Sequence, residues 1–350
     1  MNPEAHPLST GSVVSEHGAS YDILGKLATG GMAELFLARA PSPSGRGPVV
    51  VLKRILPHLA EDPEFVRMFR DEAYLAANLH HPNIVRVFDI GRQGEDYFFT
   101  MEYVHGENLR ALLRAAQKRG ESIPLQHILT IGLGVTAGLH YAHEQTDEHG
   151  RPLKIVHRDV SPTNVLVAYD GSLKIVDFGI AKAAAGTHVT QAGMLKGKAS
   201  YMSPEQCRSG AVDRRSDVFA IGILLYEMTT LTRLFRGDNE LAILHQVLSG
   251  TVERPSSRRP GYPPELERIV MRALAHDADQ RYQNAQELQN DLMRFGQQSG
   301  LRPSNPALGQ FLRSLFGNKP LPWDDAQSPA AAESASMNLS TPSAALSDVD

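Results

Sequence analysis

The sequence has little cysteine and no excess of positive charge, which argues against disulfide-bonded proteins and nucleic-acid binders. Its 350 residues include one cysteine, Cys207, so no disulfide can form within the chain. A chain with a single cysteine fits a reducing compartment. Lysine and arginine total 35 against 39 acidic residues, and the net charge of −4 argues against a dedicated nucleic-acid binder.

Long apolar runs are also missing. No run reaches the roughly 18–20 residues that cross a bilayer, and the most apolar segment, 218–231, is interrupted by Glu227. The first twenty residues lack both the basic and the apolar region of a signal peptide. We therefore expect a cytoplasmic protein with no membrane span and no nucleic-acid partner.

The apolar pattern divides the chain into two regions. Strand-like runs occur at 21–27, 34–38, 49–52, 84–89 and 96–103. Helical spacing occurs at 61–79, 128–144, 217–229, 239–249, 264–275 and 284–295. This order predicts a small sheet with one prominent helix over 21–104, followed by a mostly helical lobe over 105–296, with a cleft between them.

The two ends of the chain have a different composition. Residues 1–20 are polar without periodicity, and residues 319–350 are rich in Pro, Ala and Ser, so we expect a disordered leader and a disordered tail. A C-terminal extension, 297–318, contains a short amphipathic helix at 306–316. We expect this helix to pack on its own domain. A docking helix for a partner is the alternative.

The segment 157–179 reads HRDVSPTNVLVAYDGSLKIVDFG. It places Asp159, Asn164 and Asp177 on two turns that flank a pair of apolar runs. Phosphoryl transfer from ATP needs this set of groups, with one carboxylate to receive the substrate proton and an amide and a carboxylate to hold Mg²⁺.

These motifs, at this spacing, resemble the catalytic and magnesium loops of the protein kinase family. The resemblance spans about residues 21–295, and bacterial eukaryotic-like serine/threonine protein kinases are the nearest relatives by motif spelling. It implies an α+β, two-lobed protein kinase fold, with a small antiparallel-sheet N-lobe that has one main helix and a larger, mostly helical C-lobe. ATP and Mg²⁺ are the cofactors that it implies.

The resemblance also assigns roles to single residues. Asp159 would accept the substrate proton, and Asn164 and Asp177 would bind magnesium. Lys53, at the end of VVVLK, would contact the phosphates and pair with Glu72. Adjacent helix residues point about 100° apart, so only one of Asp71 and Glu72 can face Lys53. The apolar stripe of the helix and the family register both favour Glu72.

Further residues would line the nucleotide pocket or brace the fold. The nucleotide pocket would include Leu27, Gly30, Gly31, Leu35, Met101, Glu102 and Val104. The bracing residues would be Glu205, paired with Arg281, and Asp217, which would support the catalytic loop.

The sequence departs from the family pattern at several positions. The glycine-rich loop reads ATGGMA at 28–33, so that two β-carbons limit how closely its backbone approaches phosphate. Ser161 stands where the family has Lys, and Lys198 stands where it has Thr. We expect Lys198 to supply the missing cation and act as a catalytic residue. A surface lysine is the alternative. Thr163 replaces a Glu of many basophilic kinases, which argues against an arginine-directed acidic pocket.

The sequence thus predicts a serine/threonine protein kinase that acts on protein substrates. We also expect autophosphorylation of the activation segment, at Thr190 or Thr187, by self-association in trans. Two other functions remain open. One is a pseudokinase that binds ATP as a scaffold or interaction module, and the other is a small-molecule phosphotransferase.

Overall fold

The computed structural model describes residues 11–43, 47–94, 96–178, 199–208 and 210–323. These residues form two compact units. Unit 1 contains the described residues up to 78, residues 86–103 and residues 319–323, whereas unit 2 contains residues 79–85 and 104–318. Of the sites expected from the sequence, Lys198, Thr187 and Thr190 lie outside the described residues.

Unit 1 is a six-stranded antiparallel sheet with one long helix. Its strands are β1 (Ser12–Val14), β2 (Ser20–Thr29), β3 (Ala33–Arg39), β4 (Val49–Ile55), β5 (Val87–Gln93) and β6 (Asp96–Glu102). Its helices are α1 (Pro57–Ala60) and α2 (Pro63–Ala77). The strand order is β1-β2-β3-β4-β6-β5, and the alternating residues Phe36, Leu52 and Phe98 meet in one buried core.

Helix α2 has a defined start and a single buried face. The Asp62 side chain accepts a hydrogen bond from the Glu64 amide, and Pro63 occupies the first helical position, as is favourable there. Met68, Phe69 and other residues at helical spacing are buried against the sheet. The Phe69 ring lies 5.2 Å from that of Phe99 on β6. This packing fixes the rotation of the helix about its axis.

The expected disordered leader is wrong in its second half. Strand β1 extends the sheet by pairing with β2, and Val13 is only 2% exposed. The Ser12 hydroxyl donates to Asp22 at 2.6 Å, and His17 pairs with Asp89 at 2.7 Å. Val13 and Val14 are too few to show a periodic pattern in the sequence. The burial of Val13 is nevertheless enough to pack β1 against the edge of the sheet.

Unit 2 is mostly helical. Its helices are α3 (Leu109–Arg119), α4 (Leu125–His143), α5 (Pro204–Cys207), α6 (Arg214–Thr230), α7 (Glu240–Ser249), α8 (Pro255–Arg258), α9 (Pro264–Ala273), α10 (Ala285–Gln298) and α11 (Asn305–Phe316). Its small antiparallel sheet contains β7 (Gly106–Asn108), β8 (Val165–Ala168) and β9 (Leu173–Ile175). The sheet-rich and helical units confirm the expected fold class.

The boundary between the units differs from the sequence prediction. The Val85 amide donates to Ile175 at 2.9 Å, and the Ile175 amide donates to Asn83 at 2.8 Å. Because of these bonds, residues 79–85 belong to unit 2 and β5 begins only at Val87. The chain passes back into unit 2 after Tyr103, one residue before the predicted position.

Helix α11 packs on unit 2, as expected for its apolar face. Leu308 and Leu312 are fully buried, and Phe311 stacks on His127 of α4 with ring centroids 4.8 Å apart. The Arg119 guanidinium at the end of α3 donates to the Leu315 carbonyl at 2.9 Å.

The predicted disordered tail begins too early. Residues 319–323 belong to unit 1, where Trp323 packs edge-on against Tyr103 with ring centroids 5.1 Å apart. An aromatic pair of this geometry contributes about 0.5–1.5 kcal/mol beyond its buried area. The rest of the predicted tail, 324–350, lies outside the described residues.

The described ranges contain helices of up to 19 residues. None of them is both long enough and apolar enough to cross a bilayer.

Helix α11 approaches the turn between β8 and β9 so closely that a side chain does not fit at Gly309. A β-carbon there would lie 2.5 Å from the Tyr169 oxygen and 2.8 Å from the Asp170 carbonyl carbon. We expect Gly309→Ala to lower the free energy of unfolding by about 1–3 kcal/mol, measured by urea denaturation. The exposed neighbour substitution Gln310→Ala should change it by less than about 0.5 kcal/mol. Equal midpoints for the two variants would show that α11 is not docked in this way.

Candidate active site

Asp217 holds the backbone of the catalytic loop. Its carboxylate is 1% exposed and accepts hydrogen bonds from the amides of His157, at 2.8 Å, and Arg158, at 2.9 Å. His143 on α4 contacts the same carboxylate at 2.8 Å. Burial alone would raise the pKa of Asp217, but the hydrogen bonds and nearby histidines lower it. The carboxylate therefore stays ionised and the predicted bracing role of Asp217 matches the observed contacts.

His157 ties the catalytic loop to the segment that carries Asp177. The ring is fully buried, which lowers the pKa of His157 and keeps it neutral. Its Nδ1 accepts the Asp159 amide at 3.2 Å, so its Nε2 carries the proton and donates to the Val176 carbonyl at 3.1 Å. One side chain thus fixes the backbone next to two of the predicted site residues.

Asn164 and Asp177 come together through the register of the β8–β9 hairpin. The Val176 amide donates to the Asn164 carbonyl at 3.0 Å, which places Asp177 next to Asn164 across the hairpin. The Asn164 side-chain nitrogen donates to Asp159, at 2.8 Å to the carbonyl and 3.2 Å to Oδ2. Asp159, Asn164 and Asp177 therefore form one polar group within unit 2.

Two residues, Asp177 of this group and Arg158 next to Asp159, have left-handed backbones. The φ angle is +64° at Arg158 and +56° at Asp177. A non-glycine residue in this region stores strain, typically about 1–3 kcal/mol, that surrounding contacts must sustain. At Arg158 the contact to Asp217 described above sustains it.

Oxygen ligands for a metal are present in this group. The Asn164 amide oxygen and the Asp177 carboxylate are hard ligands of the type that Mg²⁺ prefers. Within the described ranges, no cluster of three or more His, Cys, Asp or Glu forms a dedicated metal site. A pair of protein ligands suits Mg²⁺, which usually completes its coordination with water and substrate phosphate.

Lys53 and Glu72 form an ion pair within unit 1. The Lys53 ammonium lies 2.8 Å from Glu72 Oε1, and both side chains are about nine-tenths buried, at 12% and 11% exposure. The ammonium also lies 5.3 Å from the centroid of the Phe99 ring. Glu72 belongs to the buried face of α2, whereas Asp71 is exposed, so the structure agrees with the choice of Glu72 from the apolar stripe and the family register.

The glycine-rich turn joins β2 to β3. The Gly30 amide donates to Ala33 at 2.8 Å and closes the turn, and Gly31 is exposed beside it. Leu27 and Leu35 flank the turn and are half-buried. Leu35 lies opposite Lys53 in the β3–β4 register.

Ion pairs across three strands fix this hairpin. Glu34 on β3 accepts from Lys26 on β2, at 2.6 Å, and from Arg54 on β4, at 2.5 Å. Burial would raise the pKa of Glu34, but these two cations lower it. Sequence analysis missed this network, although the neighbours Lys53 and Arg54 at a strand end were a visible signal.

The predicted adenine-binding residues lie at the point where the chain leaves unit 1. Met101 is 7% exposed and pairs with Val51 of β4. The Glu102 amide donates to Arg86 at 2.9 Å. Val104 is the first residue of unit 2 after this crossing.

Ser161 stands at the position where the family pattern has lysine, and its side chain carries no positive charge. Its side chain is 4% exposed, and its hydroxyl shares a hydrogen bond of 2.9 Å with Thr163. Its carbonyl accepts the Asn164 amide at 3.0 Å. Ser161 therefore shapes the loop rather than supplying charge. Lys198, the proposed replacement, lies outside the described residues.

Gln206 is a further site residue that sequence analysis missed. Its side chain caps α5 together with Ser203, and its Nε2 donates to the Arg158 carbonyl at 3.0 Å. The end of the activation segment is thereby attached to the catalytic loop. The signal was present as a Ser-x-x-Gln capping box in the sequence.

Glu205 and Arg281 form the ion pair that the motifs predict. Two guanidinium nitrogens lie 2.8 and 2.9 Å from the two carboxylate oxygens, and the Ser216 hydroxyl donates at 2.5 Å. Burial would raise the pKa of Glu205, but Arg281 and Ser216 lower it to about 2. Nearby, burial raises the pKa of the Cys207 thiol to about 11, so it is protonated at neutral pH and unsuited to nucleophilic chemistry.

The depressed pKa of Glu205 makes stability depend on pH. A carboxylate with a lowered pKa stabilises the fold above its ordinary value of 4.5, and this contribution disappears as the pH falls toward about 2. We expect Glu205→Gln to lower the free energy of unfolding by about 3 kcal/mol at pH 7.

The difference between Glu205→Gln and wild type should shrink between pH 5 and pH 2, as measured by urea denaturation. Glu144→Gln, at an exposed ion pair with Arg214, should change stability by less than about 1 kcal/mol at every pH. A pH-independent difference for Glu205→Gln would rule out the ionised pair.

Comparison with known proteins supports the same family. The chain is 45% identical over 303 residues to the "Tyrosine-protein kinase MasK" of Myxococcus xanthus, which covers 85% of this chain and 46% of that protein. It is 35% identical over 274 residues to the "Serine/threonine-protein kinase PrkC" of Bacillus subtilis, covering 78% and 40% respectively. The chain thus spans less than half the length of these relatives.

A solved structure and a family model agree with these relatives. The crystal structure of the Mycobacterium tuberculosis PknI kinase domain matches with a TM-score of 0.59 at 25% identity, covering 81% of this chain and 97% of that one. Residues 21–293 match the model described as "Protein kinase domain". With the geometry of Asp159, Asn164 and the Lys53–Glu72 pair, this match shows that the chain belongs to the protein kinase family.

Proposed function

We propose that the protein is a serine/threonine protein kinase that transfers the γ-phosphoryl group of ATP to hydroxyl groups of proteins. The observation that carries the proposal is the contact between Asp159 and Asn164 on a braced catalytic loop. It holds the proton-accepting carboxylate and a metal ligand in one arrangement. A protein that only binds nucleotide has no need of a positioned proton acceptor.

Each predicted nucleotide-binding residue takes a role in this proposal. Lys53, oriented by Glu72, contacts the phosphates, and the backbone of Gly30 and Gly31 covers them. The adenine would lie among apolar side chains and pair with backbone groups near Glu102. The apolar residues in question are Leu27, Leu35, Met101 and Val104.

Mg²⁺ has a defined place in the same proposal. Asn164 and Asp177 would hold it and, when bound, it would neutralise charge on the phosphates. Asp159 orients the acceptor hydroxyl and receives its proton. Because residue 161 is not lysine, another residue must contact the transferred phosphate. We propose that Lys198 makes this contact.

Two observations favour catalysis on proteins over the competing functions. A pseudokinase scaffold would need none of Asp159, Asn164 and Asp177, yet all three are retained. Asn164 is hydrogen-bonded to Asp159 and to the amide of Val176, the residue before Asp177. Relatives named as serine/threonine kinases favour Ser or Thr as the acceptor, whereas one relative carries the name tyrosine kinase. Phosphoamino-acid analysis of the product distinguishes these acceptors.

Regulation by autophosphorylation is part of the proposal. Thr190 and Thr187 are the proposed sites, with phosphate transferred between copies of the chain. Two other hydroxyls of the segment, Ser200 and Tyr201, are buried and therefore inaccessible to a second kinase molecule. Arg158, which precedes Asp159, is the proposed receptor for the phosphate.

The roles of Lys53 and Asp177 can be tested by substitution. We expect Lys53→Met and Asp177→Asn each to leave less than about a tenth of wild-type kcat/KM, a loss of more than about 1.4 kcal/mol of transition-state stabilisation. Circular dichroism should show that both variants remain folded. Lys118→Met, at an exposed lysine of α3, is the matched control and should keep full activity. Activity above a tenth in either test variant would remove that residue from the site.

The exchange between Ser161 and Lys198 predicts a strong dependence of one substitution on the other. Lys198→Thr alone should lower kcat/KM by about 10- to 100-fold, because it removes a charge-assisted phosphate contact. Adding Ser161→Lys should restore much of the loss, whereas Ser161→Lys alone should help little because two ammonium groups would crowd one site. A double-mutant cycle compares kcat/KM of wild type, the two single variants and the double variant on one protein substrate. Additive effects, or a neutral Lys198→Thr, would show that Lys198 is a surface residue.

A further inference from the structure

Three arginines of unit 2 lie near one another close to the catalytic loop, and among the described residues none of them makes an ion pair. The first, Arg110, is fixed directly to that loop. Its amide donates to the Pro162 carbonyl at 3.0 Å, three residues after Asp159. The start of α3 is therefore placed beside the residue that would receive the substrate proton.

The other two arginines continue from this point. Arg114 lies one turn further along α3 and is exposed. Gln117 shares that helical face, and its side-chain amide donates to the Leu231 carbonyl at 2.5 Å. Arg233 follows two residues later and is also exposed. We call Arg110, Arg114 and Arg233 the arginine strip, which runs from Pro162 toward residues 231–233.

Within the part of the chain that the structure describes, the negative charge closest to the strip is buried Glu227, which acts on Arg110 and Arg233 without pairing with either. None of its three arginines makes an ion pair within 4 Å with another described residue, and the Nε of Arg110 is buried without a hydrogen-bond partner. Glu227 is the nearby acid, but it is 3% exposed and its oxygens accept bonds from the Tyr201 hydroxyl, at 2.7 Å, and the Leu234 amide.

The energetics of this arrangement favour an anionic partner. Burial lowers the pKa of Arg110, and the charges of Arg233 and Arg114 lower it further, whereas Tyr201 and Glu227 act in the opposite direction without cancelling the shift. A guanidinium nevertheless remains charged at physiological pH. Holding like charges together in a half-buried setting is unfavourable, and a bound carboxylate would relieve it.

We propose that the arginine strip selects protein substrates that carry acidic residues beside the acceptor Ser or Thr. This inference rests on the proposed kinase activity and names its substrate class. The catalytic loop fits the same preference, since the exposed position 163 carries Thr and offers no carboxylate to repel an acidic peptide. Guanidinium groups suit carboxylate recognition because their planar fork donates two parallel hydrogen bonds.

The test uses the full chain and synthetic peptides that contain one Ser or Thr acceptor. Their flanking residues are glutamate, alanine or lysine, placed either before or after the acceptor. We expect kcat/KM to be highest for a glutamate peptide and lowest for the lysine peptides. The preference should weaken as NaCl rises from about 0.05 to 0.5 M, because screening shortens the range of surface charges.

Substitution of the two exposed arginines isolates the strip. Arg114→Ala with Arg233→Ala should lower kcat/KM for the glutamate peptides about five- to tenfold and leave the alanine peptides unchanged. Lysine at both positions should retain most of the preference. The control, Arg67→Ala with Arg302→Ala, removes two exposed charges elsewhere and should have no effect on selectivity.

The outcomes separate this inference from the proposed function. Equal kcat/KM for all peptides, or a preference that the double variant retains, would overturn the arginine strip while leaving the kinase activity intact. Absence of transfer to every peptide would instead contradict the kinase activity. In that case binding of the same peptides, carrying a fluorescent label, is measured by fluorescence anisotropy. The inference requires that the glutamate peptides bind more tightly to wild type than to the double variant.

Discussion

The buried carboxylate of Asp217 is the constraint on which the catalytic loop depends. An ionised group in the interior is unfavourable unless its lone pairs are used, and here the amides of His157 and Arg158 and the ring of His143 use them. The left-handed backbone at Arg158 persists because two of these bonds hold it in place. Asp159, the next residue, inherits its position from them. The position of Asp159 therefore depends on a residue nearly sixty positions later in the chain.

Helix α6 connects this brace to the end of the activation segment. Ser216, the residue before Asp217, donates to Glu205, whose other partner is the fully buried Arg281. The side chain of Gln206, in the same segment, donates a hydrogen bond to the Arg158 carbonyl. Two consecutive side chains of one helix thus fix both the loop that would receive the proton and the segment that leads to it. We infer that disturbing this helix start would affect both together.

Much of the architecture could be predicted from the sequence because its motifs report local chemistry. Motif spacing predicted Lys53, Glu72, Asp159, Asn164 and Asp177 as site residues. The structure shows contacts between Lys53 and Glu72 and between Asn164 and Asp159. The apolar face of α11 was visible at 306–316 for the same reason, since its periodicity is contained in one segment.

What the sequence did not reveal depends on partners distant in the chain. Strand β1 forms because β2 offers an edge, and Val13 alone is no signal of that. The strand expected from residue 84 starts later because Val85 bonds to Ile175, a pairing that periodicity cannot show. Trp323 meets Tyr103 across more than two hundred residues. The contacts of Gln206 with Arg158 and of Arg54 with Glu34 were also missed. The sequence shows the capping box and the neighbouring cations, but it does not show which distant residues they contact.

The central claim, that the braced loop makes an active enzyme, is tested most directly by phosphoryl transfer from labelled ATP in the presence of Mg²⁺. Wild type and Asp159→Asn are compared in parallel, with nucleotide affinity measured for both. The account predicts that wild type incorporates label and that both proteins bind ATP with similar affinity. Asp159→Asn should lower the rate of incorporation by a factor of 100 or more, which corresponds to a loss of about 2.7 kcal/mol of transition-state stabilisation. Nucleotide binding without incorporation of label by wild type would contradict the account and identify the protein as a binding module.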